Sequence, residues 1–247
     1  MVNRLGAALL EGLFPNHCLL CGLRSRRPVP LCAPCARDLQ PNHNCCRRCA
    51  LPLPAPPPGT AAMCPPPRTC GHCLQAPPPF QRVIAPWLYC EGLAHIIQRW
   101  KFHGETRLTP LLARLWLQAA DPQAVDVLLP VPLHWRRLWQ RGFNQSELLC
   151  RELRALAPEL AGARLDLRSV KRLRNTSPQA GAGAAQRLAN MRAAFTARRH
   201  YANLRIAVVD DVMTTGATAA ALGRTLQRAG AGHVEIWCLA RTPMQGN

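Results

Sequence analysis

The chain reads as an α/β protein: a parallel sheet flanked by helices, preceded by a small cysteine-rich segment held together by metal. Three observations predict this. Residues 16–73 carry ten of the thirteen cysteines, grouped mainly in four C-x-x-C pairs. From residue 81 onward, short apolar runs bounded by turn signals alternate with stretches of helical periodicity, the pattern of parallel strands covered on both faces. One of those runs ends in two adjacent aspartates and a small, hydroxyl-rich loop, and in such sheets ligands bind at the carboxyl ends of strands. At 247 residues the chain has room for one medium and one small domain, divided here as 1–80 and 81–247. A hydrophobic content of 48% excludes a wholly disordered chain. No run approaches 18 uninterrupted apolar residues, which argues against a membrane span.

The elements follow in order. The opening MVNRLGAALLEGLF is interrupted by Glu11 and is too short for an export signal; it reads as an amphipathic helix with Leu5, Leu9 and Leu13 on one face. Many cysteines without an export signal point to a cytoplasmic protein with metal thiolates rather than disulfides. Two cysteines three apart in a tight turn can aim both sulfurs at one ion, and two such pairs complete a tetrahedral zinc site. One site would use Cys18, Cys21, Cys32 and Cys35, the other Cys46, Cys49, Cys70 and Cys73. Other pairings stay open, because Cys45 neighbours Cys46, Cys64 is spare, and His17, His43 and His72 could substitute. Both zinc ions would be structural, since four thiolates leave no open coordination position. Residues 51–86 hold twelve of the 24 prolines; such runs are extended, and Pro77–Pro79 reads as a linker.

Beyond it, Gln81–Tyr89 suits a strand or lead-in. Gly92–Lys101 is a helix with Leu93, Ile96, Ile97 and Trp100 on one side, and Leu108–Ala120 a second helix. Val125–Val131 is a buried strand, Ser146–Leu156 a helix, Arg205–Asp210 a strand, Ala219–Ala229 a helix and Val234–Ala240 a strand. Cys90, Cys150 and Cys238 are expected as ordinary buried thiols.

Charge points to a partner rich in phosphate. Lys and Arg number 31 against 13 Asp and Glu, a formal charge of +18, and all the basic residues but Lys101 and Lys171 are arginine, which makes forked bonds to phosphate oxygens. Nucleic acid is the obvious candidate; a codon bias that leaves solvated arginines explains the count equally well.

The segment Arg205–Thr218, RIAVVDDVMTTGAT, carries the chemistry. Small residues such as Ala217, and Gly216, let backbone N–H groups approach a phosphate, Thr214, Thr215 and Thr218 add hydroxyls, and the following helix adds its dipole. The carboxylates of Asp210 and Asp211 suit a ribose diol, or magnesium through water. Phosphate at the loop and diol at the acids describe a ribose 5-phosphate.

IAVVDDVMTTGAT resembles the thirteen-residue signature of type I phosphoribosyltransferases. Asp126–Gln145, DVLLPVPLHWRRLWQRGFNQ, resembles the P-V-P-L…R-x-R-G-F-N-Q segment of the ComF/GntX family. Gln179, Arg187, Asn190 and Phe195 fit its Q…R-x-x-N…A-F stretch, and the cysteine pairs match its double zinc ribbon. The resemblance implies a double zinc ribbon before a type I phosphoribosyltransferase-like domain. It implies that Asp210 and Asp211 hold the ribose hydroxyls of phosphoribosyl pyrophosphate and that Thr214–Thr218 hold its 5-phosphate. The turn Pro132, Leu133, His134 would face pyrophosphate, with Arg136, Arg137, Arg141 and Arg187 as the cations of the site and magnesium accompanying the ligand. Residues 172–190 would form a loop that closes over the site. In that loop the sequence departs from the family pattern, reading AGAGAAQ between Gln179 and Arg187. The family is linked to DNA uptake in natural competence and to use of DNA as a nutrient. Two functions follow: a transferase acting on phosphoribosyl pyrophosphate, or an adaptor for single-stranded DNA and DNA-uptake proteins whose sugar-phosphate site senses a ligand or is vestigial.

Other residues have plainer readings. Lys101 and His103 complement a helix end capped by Gly104, although Lys101 and Gly104 also resemble the family's K-x-x-G near the site. His134 suits a solvated histidine. Asn144 and Gln145 suit a helix cap or a ligand contact. Trp135 and Trp139, four apart, are expected to pack, with base stacking as the alternative.

Overall fold

The computed structural model describes residues 17–25, 27, 29–55, 68–173 and 194–243. The helix expected at the start, Cys64, Arg187 and most of the expected closing loop fall outside these residues.

The cysteine-rich segment repeats one local design. At Cys18 the backbone turns, with Cys18 N–H donating to Leu23 O at 2.7 Å and Gly22 N–H to Cys18 O at 2.9 Å. The second pair of that site sits at the start of α1 (Ala33–Arg37), with Pro34 in its first turn, where a missing N–H costs nothing. At Cys46 the turn recurs, with Cys46 N–H to Leu51 O and Ala50 N–H to Cys46 O, both 2.8 Å. Its partner pair opens α2 (Gly71–Gln75). Each cysteine turn is too short to enclose a core of its own, so metal would supply folding energy there.

The rest is built around one parallel sheet. In chain order come β1 (Arg82–Ile84), β2 (Trp87–Leu88), α3 (Glu91–Phe102), α4 (Thr109–Ala119), β3 (Val127–Pro130), α5 (Trp135–Arg141), α6 (Gln145–Leu156) and β4 (Arg164–Leu165). A two-stranded antiparallel pair, β5 (Val170–Arg172) and β6 (Phe195–Ala197), precedes β7 (Arg205–Met213), α7 (Ala217–Arg228) and β8 (His233–Arg241). The strands lie in the order β1-β8-β7-β3-β4, with β2 also on β8, and every pair in this sheet is parallel. β3 and β7 are neighbours whose chains leave in opposite directions, β3 toward β4 and β7 toward β8. Their carboxyl ends therefore diverge and open a crevice, the position where such sheets bind ligands.

Side chains alternate across β7. Ile206 and Val208 pack under α7 with Leu222 and Leu226, while Ala207 and Val209 face α4 and α6 with Trp116 and Leu153. Val29, Leu31 and Leu39 from the cysteine-rich segment join this second cluster. Asn42, buried, donates to Ala50 O at 2.8 Å and Ala85 O at 3.1 Å, tying the second metal turn to the sheet edge. Cys150 and Cys238 are buried, and Cys90 is half-buried with its sulfur 3.6 Å from Asp38 O. Pro77–Pro79 does not hang free: a Cβ on Gly223 of α7 would stand 2.2 Å from Pro79 O, so glycine permits the close approach, and Phe80 is buried. Among the described residues no helix is long and apolar enough to cross a membrane.

Candidate functional site

The two metal centres are assembled as the spacing predicts. In each of the groups Cys18, Cys21, Cys32, Cys35 and Cys46, Cys49, Cys70, Cys73, the four sulfurs lie within 4.8 Å of one another. Zinc–sulfur bonds of ~2.3 Å place tetrahedral sulfurs roughly 3.8 Å apart. Cys21 and Cys32 approach to 3.6 Å and Cys49 and Cys70 to 3.7 Å, so both sets fit zinc. Among the described residues no histidine enters either group, and Cys45 stays outside. Burial raises the Cys46 thiol, but N–H groups of Cys70, Cys49 and Arg48 outweigh it and bring it down to about 7, while burial pushes its neighbours Cys49 and Cys73 up. These are two four-cysteine zinc sites, each closed by its own protein ligands.

The second site lies at the crevice. β7 runs three residues past Asp210, to Met213, because β8 keeps pairing with it through Val212–Ala240 and Met213–Arg241. On the other side β3 ends at Pro130, opposite Val209. Asp210 and Asp211 therefore stand on a stretch of strand covered on one edge only, beside the crevice. Residues 214–216 turn the chain, and α7 starts at Ala217, two residues earlier than its periodicity suggests. Gly216 takes φ 78°, a left-handed conformation that suits glycine. Thr215 Oγ1 accepts from Ala217 N–H at 3.3 Å. A pocket open to solvent is lined by Asp210, Thr214, Thr215, Gly216, Ala217 and Thr218, together with the buried Ile236 and Cys238.

Alternation along the strand separates the acids. Asp210 lines the pocket; Asp211, 5% exposed, turns toward α3 and α6. There Lys101 Nζ lies 2.7 Å from Asp211 Oδ2, and Gln145 Nε2 donates to the same oxygen at 2.7 Å. Val212 N–H donates to Oδ1 at 2.6 Å. Ser146 Oγ reaches Asp210 Oδ1 at 3.4 Å. Burial and the neighbouring Asp211 charge push Asp210 up to about 7, against the pull of Lys101, the Asp211 N–H and Arg172.

The basic wall comes from the segment after β3. Pro132 and Leu133 are half-buried and lead into His134, which is buried and caps α5 by accepting from Arg136 N–H at 3.3 Å; it is not solvated. Arg141 donates to Gln145 Oε1 at 2.5 Å and lies over the Phe102 ring at 5.3 Å. Arg136 lies over Trp135, also at 5.3 Å, while Arg137 is half-buried nearby on α5. Trp135 and Trp139 do not pack into the core; they are 66% and 84% exposed, because α5 presents its outer face to solvent.

The structure thus joins Asp210 to the threonine loop and links Arg141 to Asp211 through Gln145. Lys101 is committed to Asp211 rather than only to its helix end. Asn144 caps α6 by accepting from Ser146 N–H at 3.0 Å and also donates to Val131 O at 3.1 Å. Ser146 was legible only as a helix start; its neighbours in the F-N-Q-S run were the signal for its place.

The double zinc ribbon domain family matches residues 9–74. The DNA utilization protein YhgH of Salmonella typhimurium is 35% identical over 240 residues, covering 92% of this chain and 98% of that protein. Competence protein F of Haemophilus influenzae is 33% identical over 184 residues, covering 70% and 78%. The glutamine phosphoribosylpyrophosphate amidotransferase of B. subtilis is a distant structural likeness, 20% identical with a TM-score of 0.32 over 54% of this chain and 25% of that one. With the ribbon and near full-length similarity together, the chain belongs to the ComF/GntX family of double zinc ribbon proteins.

Proposed function

We propose that the crevice binds phosphoribosyl pyrophosphate or a related ribose 5-phosphate, in the service of DNA uptake or utilisation. One observation carries this reading: a carboxylate, Asp210, shares one pocket with a left-handed Gly216 loop at the start of a twelve-residue helix. Backbone N–H groups, threonine hydroxyls and the helix dipole suit a dianionic phosphate, and an adjacent carboxylate suits a diol. Thr214–Thr218 would take the 5-phosphate and Asp210 the ribose hydroxyls. Asp211 would hold Lys101 and Gln145 in place at the rim. Pro132–His134 and Arg136, Arg137 and Arg141 would face the diphosphate.

Magnesium fits such a site as a companion of the ligand, drawing charge from the diphosphate and Asp210, since Asp211 is already paired with Lys101. When bound, it would neutralise charge on departing pyrophosphate. The chain's own part in group transfer is to fix the sugar, offset charge with arginines and exclude water; no protein nucleophile is needed. Thiolate metal sites suit a reducing compartment, hence the cytoplasm.

The test is a thermal-shift titration of the zinc-loaded protein. Phosphoribosyl pyrophosphate with magnesium should raise the melting temperature, and Asp210→Asn should abolish the rise. No rise with the wild-type protein refutes the reading.

A second reading has its own observation. Exposed Trp135, Trp139 and Phe102 lie among arginines, a combination that stacks bases and tracks phosphates. A single-strand adaptor should lose affinity steeply with salt and be indifferent to Asp211→Asn.

A further inference from the structure

The zinc ribbon and the threonine loop meet at one buried side chain. Arg241 ends β8 and is 4% exposed. Its Nε donates to Cys49 O at 3.1 Å, the carbonyl of a zinc ligand. Its NH1 donates to Met213 O at 3.0 Å, to Thr242 O at 2.8 Å and to Thr214 O. Met213 and Thr214 are the residues from which the loop departs. A guanidinium is planar and rigid, so acceptors on both sides of it are held at a set separation. If the Cys49 turn shifts, the start of the loop must shift with it or leave the buried Nε–H of Arg241 without its acceptor.

The first zinc site has a comparable strut. Arg99 on α3 donates from NH1 to Leu19 O at 2.7 Å, between Cys18 and Cys21, and forks onto Glu105 at 2.7 Å through both Nε and NH2. Two residues further along α3, Lys101 reaches Asp211. The ribbon therefore braces the crevice from both sides: through Arg99 and α3 to the acids, and through Arg241 to the loop.

We propose that Arg241 is a positioning residue that couples occupancy of the second zinc site to anion binding at Thr214–Thr218, so that zinc in the ribbon sets affinity for sugar phosphate. This rests on the sugar-phosphate reading above. Coupling between sites is reciprocal: if zinc in the ribbon tightens the loop's grip on phosphate, phosphate in the loop slows loss of that zinc. A purely structural arginine would not produce this second effect.

The experiment uses the full, zinc-loaded chain and ribose 5-phosphate as the probe. Calorimetric titration of Arg241→Met, which keeps the apolar stem and removes every donor, should show affinity reduced about tenfold, within the usual range for coupled sites. Zinc content by native mass spectrometry should stay at two ions per chain. In Arg241→Ala, millimolar methylguanidinium should restore part of the lost affinity. In the wild type, ribose 5-phosphate should slow mercurial-driven release of one of the two zinc ions, and in Arg241→Met it should not. Unchanged affinity in a zinc-replete Arg241→Met, or wild-type zinc release indifferent to bound ribose 5-phosphate, overturns the coupling and leaves the sugar-phosphate site standing. Should Arg241→Met fail to fold, the wild-type release experiment alone decides. No binding of ribose 5-phosphate by the wild type refutes the site itself, and the coupling with it.

Discussion

Replacing Asp210 by asparagine should stabilise the protein near neutral pH while removing ligand binding. Asp210 and Asp211 are consecutive carboxylates, and Lys101 sits on Asp211 at 2.7 Å. Burial first, and the Asp211 charge second, move Asp210 up from 3.8 to about 7. Between those values the folded chain holds a proton that the unfolded chain has lost. Stability therefore falls as pH rises: the penalty is absent below about pH 4, grows through the interval and is complete above about pH 7. At ~1.4 kcal/mol per pH unit the ceiling is about 4 kcal/mol. Asp210 keeps partial access to solvent, which reduces the expected gain to about 1–2 kcal/mol. Asparagine keeps the shape and carries no charge. Guanidinium denaturation of zinc-loaded wild type and Asp210→Asn at pH 6 and pH 8 reads the effect, and the gain should be larger at pH 8. An asparagine variant no more stable than wild type at pH 8, or a gain equal at both pH values, refutes the argument that the acid pair is strained in the absence of ligand.

Three other outcomes follow from specific contacts. Lys101→Met leaves Asp211 buried without its cation and should cost about 3 kcal/mol, read as a lower melting temperature; an unchanged melt would mean that Gln145 and the Val212 N–H suffice. Gly223→Ala drives a Cβ to 2.2 Å from Pro79 O and should cost about 1–3 kcal/mol through displacement of α7 from the Pro77–Pro79 segment, checked by the same melt. Trp139→Ala removes an 84% exposed ring and should change stability by less than ~0.5 kcal/mol. The same variant should weaken binding of oligothymidylate in a fluorescence titration if α5 stacks bases, and leave it unchanged if it does not.

Much of this molecule was legible before any coordinates. Helix α3 carries Leu93, Ile96, Ile97 and Trp100 on one face, and all four are buried. The strand runs at Val127, Arg205 and His233 are central strands, because continuous apolar runs are stable only where both faces are covered. The cysteine spacing foretold both metal groups because ligand geometry at a tight turn is local. Helix α5 was hidden: Trp135–Arg141 has no buried residue and so no apolar stripe to betray it. The short strands β4, β5 and β6 were hidden for a related reason, since two or three residues are too few to show a period.

Features encoded within a turn or two of chain could be read directly: the metal turns, the helix faces, the buried strands and the loop beside its acids. Tertiary structure alone decided which acid faces the pocket and which is neutralised. It also decided that Gln145 reaches Asp211 from 66 residues away, and that Arg241 reaches the Cys49 turn from 192. Those partners meet because strand order places β7 between β3 and β8, and periodicity records what each segment buries without recording which segment lies beside it.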